Sequence, residues 1–371
     1  MKKMMFMSLI FLCICLVPVP GFVCTTFVLN NNGQPIYGKN AEFIKIPSYV
    51  IVNKRGVAKT SPFFRQEPDA EQISWISKYG SVTFNLLARE KPVEGINEAG
   101  LFMSSMSGEG LAKDAYPEPD SRTPFGALSM LQYQLDNWST VDEVIASFQS
   151  IRIPRPKENV ESAGTFHWLV ADSRGKCASI EFLDGKVVCH TGWTMPVKAL
   201  ANSTYDHSIA YFRRFRFLNL FSPVPIPEDQ RPSLLRFAVA GDRVKKYRPK
   251  RSGPVVDYAF QILQDVEIYP SHKPVAALWS AVYDSVNKRI YFRSWNNDKI
   301  RWFDLDAFDF SCTTPVKVLD VGADLSGDVT NSFVDYTKEI DIAMLKAWYG
   351  ILSEAEIKDI SSYPDSTVCT E

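Results

Sequence analysis

The 371-residue sequence has almost no net charge, few histidines, and no internal repeat or low-complexity tract. Its formal net charge of −1 creates no global field that would recruit nucleic acid or an acidic membrane, so we expect no nucleic-acid partner. No apolar run reaches the roughly 20 residues of a comfortable membrane span, so we expect no stable span. With 46% apolar and 22% charged residues, the composition is that of a globular protein.

The sequence also lacks the cysteine and histidine spacings of zinc sites and any glycine loop that would cradle phosphate. We therefore expect no metal and no cofactor. The four histidines, at positions 167, 190, 207 and 272, leave a Cys–His hydrolase open as an alternative. His167, however, lies within an apolar strand pattern, which predicts a core histidine.

The first residues have the pattern of a removable leader. Lys2 and Lys3 precede an apolar stretch from Met4 to Val17, and prolines at 18 and 20 break it. This pattern predicts a signal peptide over residues 1–23, export to the bacterial periplasm or the medium, and a single domain over 24–371. Small residues are preferred before a cleavage site, so Val23 fits less well than Gly21, and Phe22 and Val23 are expected to need trimming.

Cys24 directly follows this leader and precedes the first predicted strand. If the chain is cut there, Cys24 gains a free α-amine, with a pKa of roughly 7.7–8, beside its thiol. One residue would then supply both a nucleophile and a base. The alternative is a noncatalytic lipoprotein anchored at Cys24, although Val23 is bulkier than the residue expected before a lipidated cysteine.

Five cysteines remain after the leader, at positions 24, 177, 189, 312 and 369. In an oxidising compartment an odd set leaves at least one thiol free. The count is compatible with a free Cys24 and up to two disulfides, and it leaves the pairing open.

Alternating apolar patterns predict most of the strands. Phe27–Leu29 and Pro35–Gly38 read as a hairpin around Asn31–Gly33, which brings Lys39 and Glu42 close to Cys24. Further strands are predicted at 49–54, 81–86, 166–171, 177–183, 186–190, 198–201, 278–283, 289–293 and 299–304. Residues 94–103 are predicted as a turn followed by an apolar strand, which ends in the small residues 104–110.

Helical stripes follow Pro124 and cover 233–247 and 255–263, with a weaker helix at 354–360. A capping box at Thr140–Glu143 predicts another helix through Phe148. Two separated meanders with helices between them predict an α+β protein, a four-layer αββα sandwich of two antiparallel sheets.

Several strings in this order resemble one family. They are CTTFVLNNNGQPIYGKNAEF, EGINEAGL, LSMLQYQLDNWSTVDEVIASF, FHWLVADSRGK, ALANSTYD, SLLRFAVAGDRV and LWSAVYDSVNKRIYFRSW, and they span about residues 24–306. They resemble the choloylglycine hydrolases and penicillin V acylases. The resemblance implies the N-terminal nucleophile (Ntn) hydrolase fold, a small-molecule acyl amide substrate, and often a homotetramer.

The resemblance also implies roles for particular residues. Cys24 would be the nucleophile, Asn202 an oxyanion donor, and Arg236 the neighbour that holds the cysteine environment. The family usually has arginine and aspartate where this chain has Lys39 and Glu42, so both charges keep their sign while the geometry changes. From the residues alone, Asn202 could be a turn former or part of a glycosylation sequon, and Lys39 and Glu42 a solvated pair.

The substrate class follows from apolar residues near the small-residue loop. Phe102, Met103 and Met106 form a predicted acyl-binding wall, with Tyr205, Phe63 and Phe64 as further candidates. Ser107 lies near the position where bile-salt hydrolases have a second asparagine. The expected substrates are therefore penicillin V-type amides or N-acyl-homoserine lactones, in preference to conjugated bile salts. A related acyltransferase or Cys-peptidase with the same nucleophile remains an alternative.

Overall fold

A computed structural model describes residues 23–61, 72–108, 115–154, 165–221, 233–267, 275–348 and 352–371. The strands in these ranges are β1 (Val23–Asn31), β2 (Gln34–Ile44), β3 (Tyr49–Asn53), β4 (Val57–Thr60), β5 (Ser74–Ile76), β6 (Ser81–Asn85), β7 (Pro92–Asn97), β8 (Phe102–Ser107), β9 (Thr123–Pro124), β10 (Ile151–Arg152), β11 (Phe166–Ala171), β12 (Cys177–Leu183), β13 (Lys186–Thr191), β14 (Ala199–Leu200), β15 (Val275–Asp284), β16 (Arg289–Ser294), β17 (Asn297–Asp304), β18 (Lys317–Asp320), β19 (Gly327–Asp328), β20 (Val334–Asp335) and β21 (Val368–Cys369). The helices are α1 (Ala127–Asn137), α2 (Val141–Ser147), α3 (Tyr205–Phe221), α4 (Ser233–Lys246), α5 (Val255–Val266), α6 (Lys338–Lys346) and α7 (Glu354–Ser362).

Two large sheets carry the fold. The first sheet has the strand order β14-β1-β2-β15-β16-β17-β19, and the second has the order β13-β12-β11-β8-β7-β6-β3-β18-β20. Pairing is antiparallel except where β19 runs parallel to β17. Helices α4 and α5 pack on the first sheet and α1 and α2 on the second, while β1 contacts β8 between the sheets. The predicted αββα sandwich is confirmed.

The hairpin of β1 and β2 sets the position of Cys24. Its two-residue turn uses Asn32 and Gly33 with φ of 55° and 87°, the left-handed conformation that such hairpins need. In the resulting register Cys24 lies opposite Ala41. Residues opposite each other in a sheet share a face, so the Cys24 and Ala41 side chains both point toward the second sheet.

Alternation along β2 sends its polar residues to opposite faces. Lys39 points between the sheets and reaches β8, whereas Asn40 donates to the Leu263 carbonyl in α5, and Glu42 lies 3.8 Å from Arg236 of α4. Lys39 and Glu42 are fully buried and have different partners. The alternative of a solvated surface pair is therefore wrong.

Most predicted elements are present with small shifts in their ends. The capping box of α2 forms, with Thr140 accepting from the Glu143 amide and the Glu143 carboxylate accepting from the Thr140 amide. Two local predictions need correction. Residues 94–97 belong to β7, so the turn comes later, at 98–100; and the polar run after Asn202 opens α3, which the sequence did not predict.

One disulfide forms among the described cysteines, between Cys312 and Cys369. Cys24, Cys177 and Cys189 are free thiols, and burial raises the pKa of Cys177 to about 12 and that of Cys189 to about 11. Such thiols are poor nucleophiles near neutral pH. The predicted leader lies outside the described residues, apart from Val23. Within the described ranges no helix is long and apolar enough to cross a membrane.

Candidate active site

Cys24 lies in the middle of a buried hydrogen-bond network. Its side chain faces the space between the sheets, and the residue is 0% exposed. Its backbone nitrogen donates to Asn202 Oδ1 at 2.9 Å. In this chain that nitrogen belongs to the peptide bond with Val23. The thiol-bearing residue is thus held through its own main chain.

Arg236 of α4 binds the same region through both terminal nitrogens of its guanidinium. Nη1 donates to the Cys24 carbonyl and to Thr25 Oγ1, the latter at 2.8 Å, and Nη2 donates to Asn202 Oδ1 at 2.8 Å. A planar fork can bond two groups at a fixed spacing, which an ammonium cannot do. Arg236 therefore fixes the main chain of Cys24 and the Asn202 amide relative to each other.

Asn202 follows β14 and is oriented by its partners. Its oxygen accepts from Cys24 and Arg236, and its Nδ2 donates to the Ser107 carbonyl at 2.8 Å. Only the oxygen of an amide accepts, so these bonds determine which way the side chain points. Ser233 Oγ accepts from the Asn202 backbone amide at 2.8 Å, which anchors the loop to the start of α4.

Lys39 and Glu94 extend the polar cluster between the sheets. Lys39 Nζ donates to the Ser105 carbonyl of β8 at 2.9 Å. Glu94 Oε1 accepts from Trp279 Nε1 at 2.8 Å and from the Tyr283 hydroxyl at 2.9 Å. Burial raises the pKa of Glu94 to about 7, against the opposing effect of nearby Lys39. Glu94 is not among the predicted site residues because the sequence around it favours a turn, although a charged residue within an apolar strand was the available signal.

His167 is part of a separate buried contact. It is 0% exposed in β11, and its Nδ1 lies 2.9 Å from Glu181 Oε1. Glu181 also accepts from the Tyr205 backbone amide at 3.0 Å. The prediction of a core histidine is confirmed.

An apolar cavity that is partly open to solvent lies beside the Ser105–Ser107 end of β8. Its lining comes from the connection between β6 and β7, the start of β7, the end of β8, the start of β11, α1 and the C-terminal region. The residues are Leu86, Leu87, Lys91, Pro92, Val93, Ser105, Met106, Ser107, Ala127, Leu128, Leu131, Phe166, Trp168, Trp348, Leu352 and Ile360. Ser105 and Ser107 offer the carbonyls that Lys39 and Asn202 bond, so the cavity adjoins the network around Cys24.

Residues 24–318 match the family model described as linear amide C-N hydrolases, choloylglycine hydrolase family. The chain belongs to this family. Penicillin V acylase from Pectobacterium atrosepticum is 29% identical over 272 residues, which are 64% of this chain and 69% of that protein.

Two solved structures share the fold of this hydrolase. Penicillin V acylase from Agrobacterium tumefaciens superposes with a TM-score of 0.69 at 24% identity, covering 85% of this chain and 98% of its own. A variant of the conjugated bile acid hydrolase from Clostridium perfringens gives a TM-score of 0.63 at 15% identity, covering 80% and 97%. The resemblance to the family, the Ntn-hydrolase fold and the linear amide hydrolase class are therefore confirmed.

The predicted substrate-wall residues of the hydrolase lie in two different environments. Met106 and Ser107 line the cavity. Phe102 is fully buried between the sheets, stacked on Tyr37 with ring centroids 4.7 Å apart, and Met103 packs in the core under α1. Tyr205 is also fully buried and donates its hydroxyl to the Val197 carbonyl at 2.9 Å. Phe63 and Phe64 lie outside the described residues.

The structure thus brings together Cys24, Asn202, Arg236 and Glu42 around one main-chain segment, with Lys39 and the Ser107 carbonyl on the side of the second sheet. Phe102 packs between the sheets, whereas Met103 packs under α1 and Tyr205 against Phe237 of α4. The cavity, and its C-terminal wall in particular, was not predicted from the sequence.

Proposed function

We propose that the chain is an exported N-terminal-cysteine amidohydrolase that cleaves a linear amide through an acyl-thioester on Cys24. The observation that carries this proposal is the convergence of Asn202 and Arg236 on the main chain of Cys24. A cysteine with a purely structural role does not require a buried guanidinium on its carbonyl. A cysteine whose amine and thiol must both be oriented toward a substrate does require its main chain to be fixed in this way.

Removal of residues 1–23 would convert the Cys24 nitrogen from an amide to an amine. That nitrogen now donates to Asn202 Oδ1 at 2.9 Å, and an amine can keep this bond while its lone pair takes a proton. Arg236, which donates to the Cys24 carbonyl, holds this nitrogen and the thiol in a fixed relative position. The amine then serves as the base for the thiol of the same residue.

The reaction proceeds in two steps. The Cys24 sulfur attacks the substrate carbonyl, the C–N bond breaks, and the amine leaves with the proton held by the α-amine. Water, deprotonated by the same α-amine, then hydrolyses the thioester and releases the acid. In each step negative charge forms on the carbonyl oxygen, where Asn202 Nδ2 would donate; the loss of one such donor typically costs 10²–10³-fold in rate.

For the substrate, we propose a phenoxyacetyl or medium-chain acyl amide, such as penicillin V or an N-acyl-homoserine lactone. The cavity walls are mainly apolar, with Leu128, Leu131 and Phe166 among them. Such walls gain free energy from burying a phenyl or alkyl group, whereas a conjugated bile salt also needs partners for its hydroxyls. The relative from Pectobacterium atrosepticum, which is named as a penicillin V acylase, supports this ranking.

The first experiment measures the intact mass of the active protein. The proposal expects a chain that begins at an unmodified Cys24. Activity in protein that retains Phe22 and Val23 would contradict the amine-as-base mechanism, and a lipidated Cys24 would favour the anchored lipoprotein.

The second experiment compares kcat/KM on penicillin V, decanoyl-homoserine lactone and glycocholate, using the mature protein and its Cys24→Ala and Asn202→Ala variants. We expect no turnover by Cys24→Ala, a loss of about 10²–10³-fold for Asn202→Ala, and a preference for the first two substrates. A clear preference for glycocholate would overturn the substrate ranking. Acyl transfer to an added amine without hydrolysis would favour the acyltransferase alternative.

A further inference from the structure

Part of the cavity wall comes from outside the family-matched region. That region ends at residue 318, yet Trp348, Leu352 and Ile360 line the same cavity as Met106 and Ser107. The three residues belong to the segment 319–371, which contains α6 and α7. A chain that ended with the matched region would lack this side of the cavity.

Trp348 is held at the end of the sandwich where Cys24 lies. Its ring stacks on Phe43 with centroids 5.0 Å apart, and its Nε1 donates to the Leu86 carbonyl at 3.0 Å. Phe43 is two residues from Ala41 on the same face of β2, and Ala41 lies opposite Cys24. The position of Trp348 is therefore fixed from both sheets.

The far end of the segment is also fixed. Cys369, in β21, forms a disulfide with Cys312, and β21 pairs with β4. Cys312 belongs to the matched region, so the disulfide closes a covalent loop around the whole segment. An element held at both ends can form a wall of constant shape, as a specificity pocket requires.

We propose that the C-terminal segment determines which acyl groups the enzyme accepts, with Trp348, Leu352 and Ile360 as the specificity-determining residues. This inference rests on the proposed hydrolysis of an acyl amide at Cys24. An acetyl group is too short to use the wall, whereas a decanoyl or phenoxyacetyl group would bury part of its surface against it. The segment thus selects for acyl length and shape without touching the reacting atoms.

The test uses the mature enzyme and amides that share one amine and differ in the acyl group: acetyl, hexanoyl, decanoyl and phenoxyacetyl. Trp348→Ala and Leu352→Ala should lower kcat/KM for decanoyl by about tenfold or more and leave acetyl within about threefold. Ile360→Trp, which fills the cavity, should lower decanoyl turnover while hexanoyl turnover is retained. Val334→Ala is the matched control, since this residue of the same segment is 60% exposed.

An equal loss on all acyl groups, or no loss on any, in variants that melt like the wild type would overturn the inference. Trp348→Ala removes packing against Phe43, so this variant could fail to fold. In that case Leu352→Ala and Ile360→Trp still decide the test. If the wild type cleaves none of these amides, the proposed function fails, and calorimetric binding of decanoate tests the wall independently. Binding weakened by Leu352→Ala and Ile360→Trp supports the wall; unchanged binding, or none to the wild type, refutes it.

Discussion

At the scale of single residues, the site depends on polar groups buried where the two sheets meet. Lys39 and Glu94 belong to different sheets, yet each contacts the opposite one, Lys39 through the Ser105 carbonyl and Glu94 through Trp279 and Tyr283. Buried charges are costly unless they are hydrogen-bonded. Such groups therefore fix the relative position of the sheets, and with it the surroundings of Cys24.

Replacement of Lys39 tests whether its charge serves the reaction. Lys39→Met removes both the cation and its bond to Ser105. If the charge stabilises the transition state, kcat/KM should fall roughly 10- to 100-fold, less than for the loss of a direct oxyanion donor. Lys39→Arg keeps the charge, matches the usual family residue, and should retain activity. Steady-state kinetics on the preferred substrate measures both effects. Full activity in Lys39→Met would return this residue to a purely structural role.

Glu94 gives the stability a defined dependence on pH. Its pKa is about 7 when folded, against an ordinary value of 4.5, because burial disfavours the charged form. Between these values the folded state holds a proton that the unfolded state has lost, so this contribution is full below pH 4.5 and disappears as the pH rises through 7. Glu94→Gln imitates the protonated acid. It should leave the free energy of unfolding unchanged near pH 4.5 and raise it at pH 8 by up to about 3 kcal/mol.

Urea unfolding of the wild type and Glu94→Gln at several pH values measures this difference. Asp298→Asn, an exposed carboxyl on β17, is the control and should show no such trend. A difference between wild type and Glu94→Gln that stays constant from pH 4.5 to 8 would mean that Glu94 is already ionised in the folded protein.

At the scale of elements, the β1–β2 hairpin determines where Cys24 lies, and its packing allows no side chain at Gly38. A Cβ added there would lie 2.2 Å from Phe27 Cζ, and Phe27 is fully buried. Gly38→Ala should therefore destabilise the protein by about 1–3 kcal/mol through overpacking. In a double-mutant cycle Phe27→Leu should relieve part of that cost. Additive effects of the two substitutions would show that the steric conflict with Phe27 is not the cause.

Local patterns predicted the hairpin, the meanders and the capping box of α2, because these depend on residues close in sequence. Helix α3 was missed since its polar start around Asp206 resembles a loop, and its apolar residues do not form a clear stripe. The family resemblance located Asn202 and Arg236. Their mutual contacts with Cys24, across 178 and 212 positions, appear only in the fold.

At the scale of the whole molecule, the chain consists of a family-matched body and a C-terminal segment that contacts it at several places, two of which bear on the cavity and on the crosslink. Trp348 stacks on Phe43 of the body, and Cys369 is bonded to Cys312. No short-range pattern could reveal this arrangement, because the partners of Trp348 lie more than 250 positions earlier in the chain. The cavity is consequently a property of the complete fold and of no single motif.

The disulfide between Cys312 and Cys369 should have two effects: it should stabilise the molecule, and it should hold the C-terminal segment in place. Cys312 and Cys369 are 57 positions apart, and a crosslink closing a loop of this size typically adds about 2–4 kcal/mol by restricting the unfolded chain. The Cys312→Ser/Cys369→Ser variant should therefore lose that amount of unfolding free energy, as measured by urea denaturation. It should also lose selectivity for decanoyl over acetyl amides, because the segment is then free to move away from the cavity. The wild type unfolded under reducing conditions, which has lost the crosslink and carries no serine, separates the effect of the crosslink from that of serine substitution. Wild-type stability in the double variant would show that strand pairing of β21 with β4 and the packing of Trp348 suffice to hold the segment.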